Sequence, residues 1–144
     1  MSEIVYEVTI ENGNTYWRIG GKLHRLDGPA YEGTNGYKWW YVNGKSHRED
    51  GPAYEGADGT KYWYVNGKLH RLDGPAIEDS CGDKEWYVDG LHHRSDGPAV
   101  EYADGSKSWY IDGEEYTEED FLKKIAEMPP PATQSCAGKV VEIE

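Results

Sequence analysis

Aliphatic side chains are scarce in this chain: of its 144 residues, only 22 are Leu, Ile, Val or Phe. Combined with a formal net charge of -12, that scarcity is typical of intrinsically disordered chains. The aromatic content argues against disorder, because six Trp, 12 Tyr and one Phe make up 13% of the sequence. Each such ring buries about 150 to 250 Å² when it packs. With 18 Gly and seven Pro, the composition predicts a turn-rich fold of short strands.

Cysteine and long apolar runs are also scarce. Cys81 and Cys136 are the only two cysteines, so we expect neither a structural disulfide nor a cysteine-ligated metal. No stretch approaches the roughly 18 apolar residues of a membrane span. The first ten residues lack the basic and apolar regions of a signal peptide. These features predict a cytoplasmic protein.

Positive charge is in short supply, with 15 basic residues against 27 acidic ones. Proteins bind nucleic-acid backbones and anionic lipid headgroups through clustered Lys and Arg. We therefore expect neither direct nucleic-acid binding nor membrane binding. The negative net charge instead favours a protein partner with a basic surface. Nothing in the sequence indicates a cofactor.

The chain contains an internal repeat of 23 residues. The segment His-Arg-x-Asp-Gly-Pro-Ala begins at His24, His47, His70 and His93. Three further series keep the same period: Trp17, Trp40, Trp63, Trp86 and Trp109; Gly13, Gly36, Gly59, Gly82 and Gly105; and Gly21, Gly44, Gly67, Gly90 and Gly113. Four series in phase identify a repeat array.

Each repeat is predicted to contain a β-hairpin. Residues 61–65 are aromatic and β-branched, and Asn66-Gly67 is typical of a type I′ turn. The connection to the previous strand carries Asp58-Gly59 or an equivalent pair, with Cys81-Gly82 as the irregular copy. The predicted fold is all-β, an antiparallel meander of about five hairpin repeats over residues 1–116. The Asp-Gly-Pro-Ala step predicts a bend or bulge in every repeat, because proline has no N–H to donate.

The two ends of the array depart from the repeat. Residues 4–10 are predicted to form a first strand without the Gly-Pro break. Residues 117–128 are predicted to form a helix, with Thr117 as its N-cap and acidic residues in its first turn. Its apolar face is predicted to consist of Phe121, Leu122 and Ile125.

The helix is predicted to cap the array by folding over the end of the sheet near Trp109 and Tyr110, because repeat arrays need atypical end units. Residues 129–144 begin with three prolines and are interpreted as a linker and tail. Within that tail, residues 139–144 alternate like a strand.

The unit Trp-Tyr-Val-Asn-Gly-Lys-x-His-Arg-x-Asp-Gly-Pro-Ala resembles the MORN-like repeats of small proteins from tailed phages and large DNA viruses. The resemblance covers residues 13–121 and implies an elongated sheet of β-hairpins. This chain carries Asp-Gly-Pro-Ala where MORN repeats have Gly-x-Gly, and it lacks the basic surface that lipid binding requires. We therefore carry over no lipid site.

The His-Arg-x-Asp motif invites a catalytic interpretation, because His and Asp are common acid and base groups. Four equivalent copies argue against it, since an active site needs one copy of each role. With two strands per repeat, equivalent histidines lie about 10 Å apart, too far to share one metal ion. We interpret the motif as structural, with Arg and Asp joined by a charge-assisted hydrogen bond. No catalytic residue and no metal ligand is assigned.

The hairpin register assigns the rings to two faces. The turn at Asn66-Gly67 places Trp63 opposite His70. A two-residue turn at Asp58-Gly59 places Tyr54 on that same face. The opposite face then carries the candidate binding residues Trp39, Tyr41, Tyr62, Tyr64, Tyr87 and Tyr110. One of its columns varies between repeats (Tyr16, Trp39, Tyr62, Glu85 and Ser108), so specificity is expected there. Alternatively, these rings serve only to cover the strands.

Two functions remain open. The first is a non-enzymatic protein-protein interaction module, and the viral resemblance implies a factor that binds and inhibits or redirects a host defence protein in the host cytoplasm. The second is a ligand-binding module that stacks a sugar or nucleotide on the aromatic face, with Arg48 or Arg71 contacting a phosphate. An enzyme is disfavoured, because no nucleophile elbow or phosphate loop stands out.

Overall fold

The computed structural model describes residues 3–129. Within them the chain forms 18 strands and one helix: β1 Glu7–Glu11, β2 Asn14–Ile19, β3 Lys22–Leu23, β4 Tyr31–Glu32, β5 Lys38–Trp39, β6 Tyr41–Val42, β7 Lys45–Ser46, β8 Tyr54–Glu55, β9 Lys61–Tyr62, β10 Tyr64–Val65, β11 Lys68–Leu69, β12 Ile77–Glu78, β13 Lys84–Glu85, β14 Tyr87–Val88, β15 Leu91–His92, β16 Val100–Glu101, β17 Lys107–Ile111, β18 Glu114–Tyr116 and α1 Glu118–Glu127. The predicted all-β hairpin array is confirmed.

The main sheet is an antiparallel meander. Eleven strands lie side by side in the order β1-β2-β4-β5-β8-β9-β12-β13-β16-β17-β18, and β3 pairs with β2 as the twelfth. Three lateral hairpins are present: β6-β7, β10-β11 and β14-β15. A single residue separates each of them from the main-sheet strand before it. Backbone hydrogen bonds link each lateral hairpin to the next, as from the Gly67 N–H to the Ser46 carbonyl at 2.8 Å. Every repeat therefore contacts its sequence neighbours.

The predicted type I′ turns are present at the tips of the lateral hairpins. Asn66 has a φ of 52° and Gly67 a φ of 81°, both in the left-handed region that this turn requires. The same pair of positive φ angles recurs at Asn12-Gly13, Asn43-Gly44, Asp89-Gly90 and Asp112-Gly113. At Asn12-Gly13 the turn joins β1 to β2 and pairs Val8 with Trp17.

The register of the other connection differs from the prediction. The Gly56 N–H donates to the Thr60 carbonyl at 2.9 Å and Gly59 has a φ of 94°, so three residues rather than two close the loop. Tyr54 therefore pairs with Tyr62. Placing Tyr54 on the tryptophan side was wrong, because a shift of one residue moves every side chain of a strand to the opposite face. The same loop recurs at Asn35-Gly36, Cys81-Gly82 and Asp104-Gly105.

A row of alanines forms the core of the array. Ala30, Ala53, Ala76 and Ala99 are fully buried, and each directly follows an Asp-Gly-Pro segment. The chain bends at each of these segments, as predicted. Ala76 links two strands, since its N–H donates to the Glu85 carbonyl and its carbonyl accepts from the Trp63 N–H, both at 2.8 Å. Most large rings on both sides of this single layer are half-buried, whereas Tyr37 and Tyr102 are exposed.

The first strand spans Glu7–Glu11 rather than residues 4–10. Before Glu7, the Tyr6 ring packs edge-on against Trp17 at 5.3 Å, and its hydroxyl accepts the Leu26 N–H at 3.1 Å. These contacts take the chain out of the strand before residue 7. All five residues of β1 are exposed.

The C-terminal end of the sheet is covered by α1. Thr117 is the N-cap, as predicted, and its hydroxyl accepts the Asp120 N–H at 3.1 Å. Phe121 is buried and the helix packs against β17 and β18. The predicted apolar face is wrong at Leu122, which is 59% exposed because it lies about 100° around the helix from Phe121. The predicted tail, apart from Pro129, lies outside the described residues, as does its strand.

Candidate functional site

The sheet presents two faces with different side chains. The tryptophan face carries Trp17, Trp40, Trp63 and Trp86, each with a stacked arginine. The tyrosine face carries Tyr31, Trp39, Tyr41, Tyr54, Tyr62, Tyr64, Tyr87 and Tyr110. Successive residues of an extended strand point to opposite faces, so neighbours in sequence such as Tyr62 and Trp63 lie on opposite sides.

On the tryptophan face, one arginine per repeat lies flat on the tryptophan ring. The Arg71 guanidinium carbon is 3.8 Å from the centre of a Trp63 ring. The corresponding distances for Arg25, Arg48 and Arg94 are 3.6, 3.7 and 3.8 Å. Such cation-π contacts stabilise by about 0.5 to 1 kcal/mol at exposed sites and by about 2 kcal/mol or more when they are desolvated. These arginine side chains are only 18 to 22% exposed.

The remaining contacts of the arginine fix the Asp-Gly-Pro bend. Arg71 Nε donates to Asp73 Oδ1 at 3.0 Å, and Nη1 donates to the Pro75 carbonyl at 3.0 Å and to Glu78 Oε2 at 3.1 Å. A Cβ atom on Gly74 would lie 2.9 Å from the guanidinium carbon, so a larger residue there would displace the arginine from its present position. The predicted bond between Arg and Asp is present, together with ring and glutamate contacts that the motif alone did not reveal.

The histidine of the motif joins one repeat to the next. His70 Nδ1 accepts the N–H of Asp89, which lies in the turn of the following repeat, at 3.0 Å. His24, His47 and His93 make the same bond to Asn43, Asn66 and Asp112 at 2.9 to 3.0 Å. Each member of the His-Arg-x-Asp-Gly-Pro motif therefore has a structural contact in the array.

The rim of the tryptophan face is an exposed acidic ridge, defined by Asp27, Glu49, Asp50, Asp73 and Asp96. These carboxylates are 76 to 88% exposed. Two leucines, Leu26 and Leu72, occupy the variable position of the motif and are 60% and 80% exposed. The ridge contributes negative charge to the surface of the array.

The tyrosine face carries a ladder of aromatic rings. Tyr54 lies between its two strand partners, with ring centres 4.7 Å from Trp39 and 5.1 Å from Tyr62. Trp39 also contacts Tyr41, at 5.8 Å. Nearer the N-terminus, Tyr16 and Tyr31 pair at 5.1 Å. The ladder therefore crosses three repeats, with every ring half-buried.

In the fourth repeat, which contains Trp86 and His93, a charged cluster replaces part of the ladder. Glu85 stands where earlier repeats have a ring, and His92 stands where Leu69 lies one period before. His92 Nε2 and Glu85 Oε1 are 2.9 Å apart. The Tyr87 hydroxyl donates to the same oxygen at 3.2 Å. The imidazole is stacked between Tyr87 and Tyr110, with ring centres 4.2 and 4.7 Å away.

Several phenols of this face have a raised pKa. Burial raises the pKa of Tyr54, Tyr62 and Tyr64 above the ordinary value of 10.0. Burial and then the charge of Glu85 raise the pKa of Tyr87 to about 12. At neutral pH these four tyrosines therefore present uncharged hydroxyl groups on apolar rings, the combination that makes tyrosine frequent in protein interfaces.

The structure gathers the six candidate binding rings on one face. Arg48 and Arg71 lie on the other face, where their guanidinium groups stack on Trp40 and Trp63. The two arginines are therefore not brought together with the rings. Sequence reasoning missed Tyr31, Tyr54 and His92 as members of the tyrosine face. A search for three-residue hairpin loops, which also use glycine at a positive φ, would have placed Tyr31 and Tyr54 correctly.

Comparison with protein-family models, with curated proteins and with solved structures gave no match to the chain. Over residues 3–129, no group of three or more His, Cys, Asp or Glu side chains is placed to hold a metal ion. The same residues include no helix long and apolar enough to cross a membrane. Cys81 is exposed, and Cys136 lies outside the described residues.

Proposed function

We propose that the protein is a non-enzymatic interaction module whose tyrosine face binds another protein. The observation that carries the proposal is the contrast between the faces. The stacked Trp-Arg pairs recur in four repeats without change, whereas the tyrosine face exchanges Tyr, Trp, Glu and Ser at one position. Exchange of large rings at one position of a regular scaffold is what a binding surface requires.

The dimensions of the sheet suit a macromolecular partner. Eleven strands lie along the main path, and at about 4.8 Å per strand the array is roughly 50 Å long. A stable protein-protein interface buries about 800 Å² on each partner. A surface of this length lined with half-buried rings supplies that area, and Trp and Tyr are the residues most enriched at interface hot spots.

The charge of the chain supports a basic partner. The net charge is -12, and the acidic ridge runs along the opposite face, so the whole molecule attracts positively charged surfaces during encounter. The resemblance to repeats of phage and viral proteins supports a host protein, including a defence component, as that partner. Proteins that normally bind nucleic acid have surfaces of the required charge.

Affinity capture from host-cell lysate with a pair of matched variants tests the proposal. Arg18 already occupies, in the first repeat, the position of Tyr41 and Tyr64, so the double variant Tyr41→Arg/Tyr64→Arg is expected to fold. This variant should no longer retain the protein that the wild-type chain captures. The control Leu26→Arg/Leu72→Arg adds the same charge to the tryptophan side and should retain it. Equal retention by both variants would contradict the proposal.

A second measurement separates the proposal from the ligand-binding alternative. The fluorescence of the six tryptophans is titrated with saccharides and with nucleotides, and the variant Trp39→Phe identifies the part of any change that arises on the tyrosine face. The proposal predicts no saturable response in the wild-type chain. A saturable response that the Tyr41→Arg/Tyr64→Arg variant abolishes, without capture of any protein, would replace the proposed function with ligand binding.

A further inference from the structure

We infer that the fourth repeat of the tyrosine face recognises an arginine side chain of the partner, with Glu85 as the charged contact. The inference rests on the proposed function and specifies what the tyrosine face binds. It names a site of a few residues, Glu85, Tyr87, His92 and Tyr110, and a guanidinium group as the occupant.

Glu85 brings a carboxylate into a position that rings occupy elsewhere. The equivalent residues in the first three repeats are Tyr16, Trp39 and Tyr62. The charge of Glu85 is close enough to help raise the pKa of Tyr62, Tyr87 and Tyr110. The carboxylate therefore lies beyond the end of the ring ladder, paired in the sheet with Ile77 and Val100 and next to the cluster of Tyr87, His92 and Tyr110.

The neighbours of Glu85 hold its carboxylate in one orientation. In the described part of the chain, both of its side-chain hydrogen bonds, from His92 Nε2 and the Tyr87 hydroxyl, end on Oε1. The second oxygen, Oε2, is left to accept from a partner. His92 is in turn fixed between two rings, and both Glu85 and His92 are only about a quarter exposed. A fixed, partly desolvated acceptor binds a charged donor more strongly than a mobile surface carboxylate does.

Arginine is favoured over lysine by the shape of the site. A guanidinium group is planar, so it can stack on a phenol ring while donating to a carboxylate in the same plane. On the same face, the Arg18 guanidinium carbon lies 4.8 Å from the centre of the Tyr16 ring while Arg18 Nη1 donates to the Thr9 hydroxyl at 3.1 Å. Arg71 combines a ring and a carboxylate on the other face. Lysine donates from a single point and gains less from a flat ring.

The test uses the full chain, labelled with ¹⁵N, and capped tripeptides Gly-Arg-Gly and Gly-Lys-Gly as probes. Amide shift changes on addition of Gly-Arg-Gly should centre on residues 85–92. The variant Glu85→Gln should weaken binding at these residues by about tenfold, the loss expected for one charge-assisted hydrogen bond. The control Glu49→Gln removes the same charge from the acidic ridge and should leave the affinity at residues 85–92 unchanged.

A second variant keeps the test independent of any loss of structure. Glu85→Tyr with His92→Leu restores the residues that the third repeat holds at Tyr62 and Leu69, so the array should fold. It should lose the Gly-Arg-Gly response at these positions. Shift changes centred on the acidic ridge, equal effects of Glu85→Gln and Glu49→Gln, no response, or tighter binding of Gly-Lys-Gly would each overturn the inference. If capture still depends on Tyr41 and Tyr64 in that event, the proposed function survives without it.

Discussion

The tryptophan face and the tyrosine face are built on the same strands, yet they follow different rules. On the tryptophan face each ring carries an arginine that also bonds to an aspartate and a backbone carbonyl. On the tyrosine face the contacts are mostly ring against ring. The repeats therefore share the residues that join each repeat to its neighbour, and they differ at positions that these contacts do not constrain.

The difference in contact type explains why one face tolerates exchange. A ring pair contributes about 0.5 to 1.5 kcal/mol beyond its buried area, and another ring or a polar pair can replace it. An arginine that holds a carbonyl, two carboxylates and a ring has no equivalent among the other side chains. Removing it leaves the proline carbonyl and a glutamate that is about one third exposed without this donor, and an unpaired buried polar group costs about 1 to 3 kcal/mol.

The largest effect is expected from removing a ring of the tryptophan face. Trp63→Ala should lower the free energy of unfolding by about 3 kcal/mol, because it deletes the support of Arg71 next to the buried Ala76. Tyr62→Ser is the matched change on the other face and should cost only about 1 kcal/mol, since Ser108 holds that position in the last repeat. Urea denaturation measures both. Equal losses would show that the two faces contribute alike to the fold.

A backbone change ranks second. Gly67→Val places a β-branched residue at a φ of 81°, which should cost about 1 to 3 kcal/mol. The turn also positions the Gly67 N–H against the Ser46 carbonyl, so strain there weakens the link between repeats. Thermal unfolding is the measurement, with Lys68→Val, at an exposed strand position, as the control. A melting temperature as high as that of the control would refute the type I′ assignment.

The sequence correctly predicted the array, its type I′ turns and the N-cap at Thr117, because each depends on local contacts within a few residues. It failed at Tyr54 because Asp-Gly fits both a two-residue turn and a three-residue loop, and the choice depends on the bond between Gly56 and Thr60. It also left the role of the histidines undefined. Their partners lie 19 residues away, in the next repeat, and no short motif records a contact at that distance.

Removing a histidine that links two repeats should lower the free energy of unfolding by a smaller amount, and by the same amount in each repeat. His47→Ala and His70→Ala each remove one acceptor from an exposed turn N–H, so each should cost about 1 kcal/mol. His47→Ala also removes a contact with Glu49 at 3.2 Å, which adds little because Glu49 is 82% exposed. Urea denaturation of the single variants checks the equality. A loss of partner capture in only one of them would place a binding function on the tryptophan face and break the distinction between the faces.

The last effect is confined to alkaline pH and concerns the tyrosine face. The pKa of Tyr87 is raised by burial and by Glu85 to about 12, from an ordinary 10.0. A pKa raised in the folded state means that the stabilisation is complete below pH 10.0 and is lost as the pH rises towards 12. Wild-type stability should fall more steeply over this window than that of Tyr87→Phe, as measured by chemical denaturation at each pH. Parallel curves of stability against pH for the two chains would contradict the raised pKa of Tyr87.

The central claim is that binding occurs on the tyrosine face while the tryptophan face holds the array together. Hydroxyl-radical footprinting tests it most directly, with the chain labelled once alone and once in the complex retained from host lysate, and the modified residues identified by mass spectrometry. The account predicts protection of Tyr41, Tyr64, Tyr87 and Tyr110 in the complex, with unchanged labelling of Leu26 and Leu72 beside the acidic ridge. Protection of those leucines with unchanged tyrosines would contradict it.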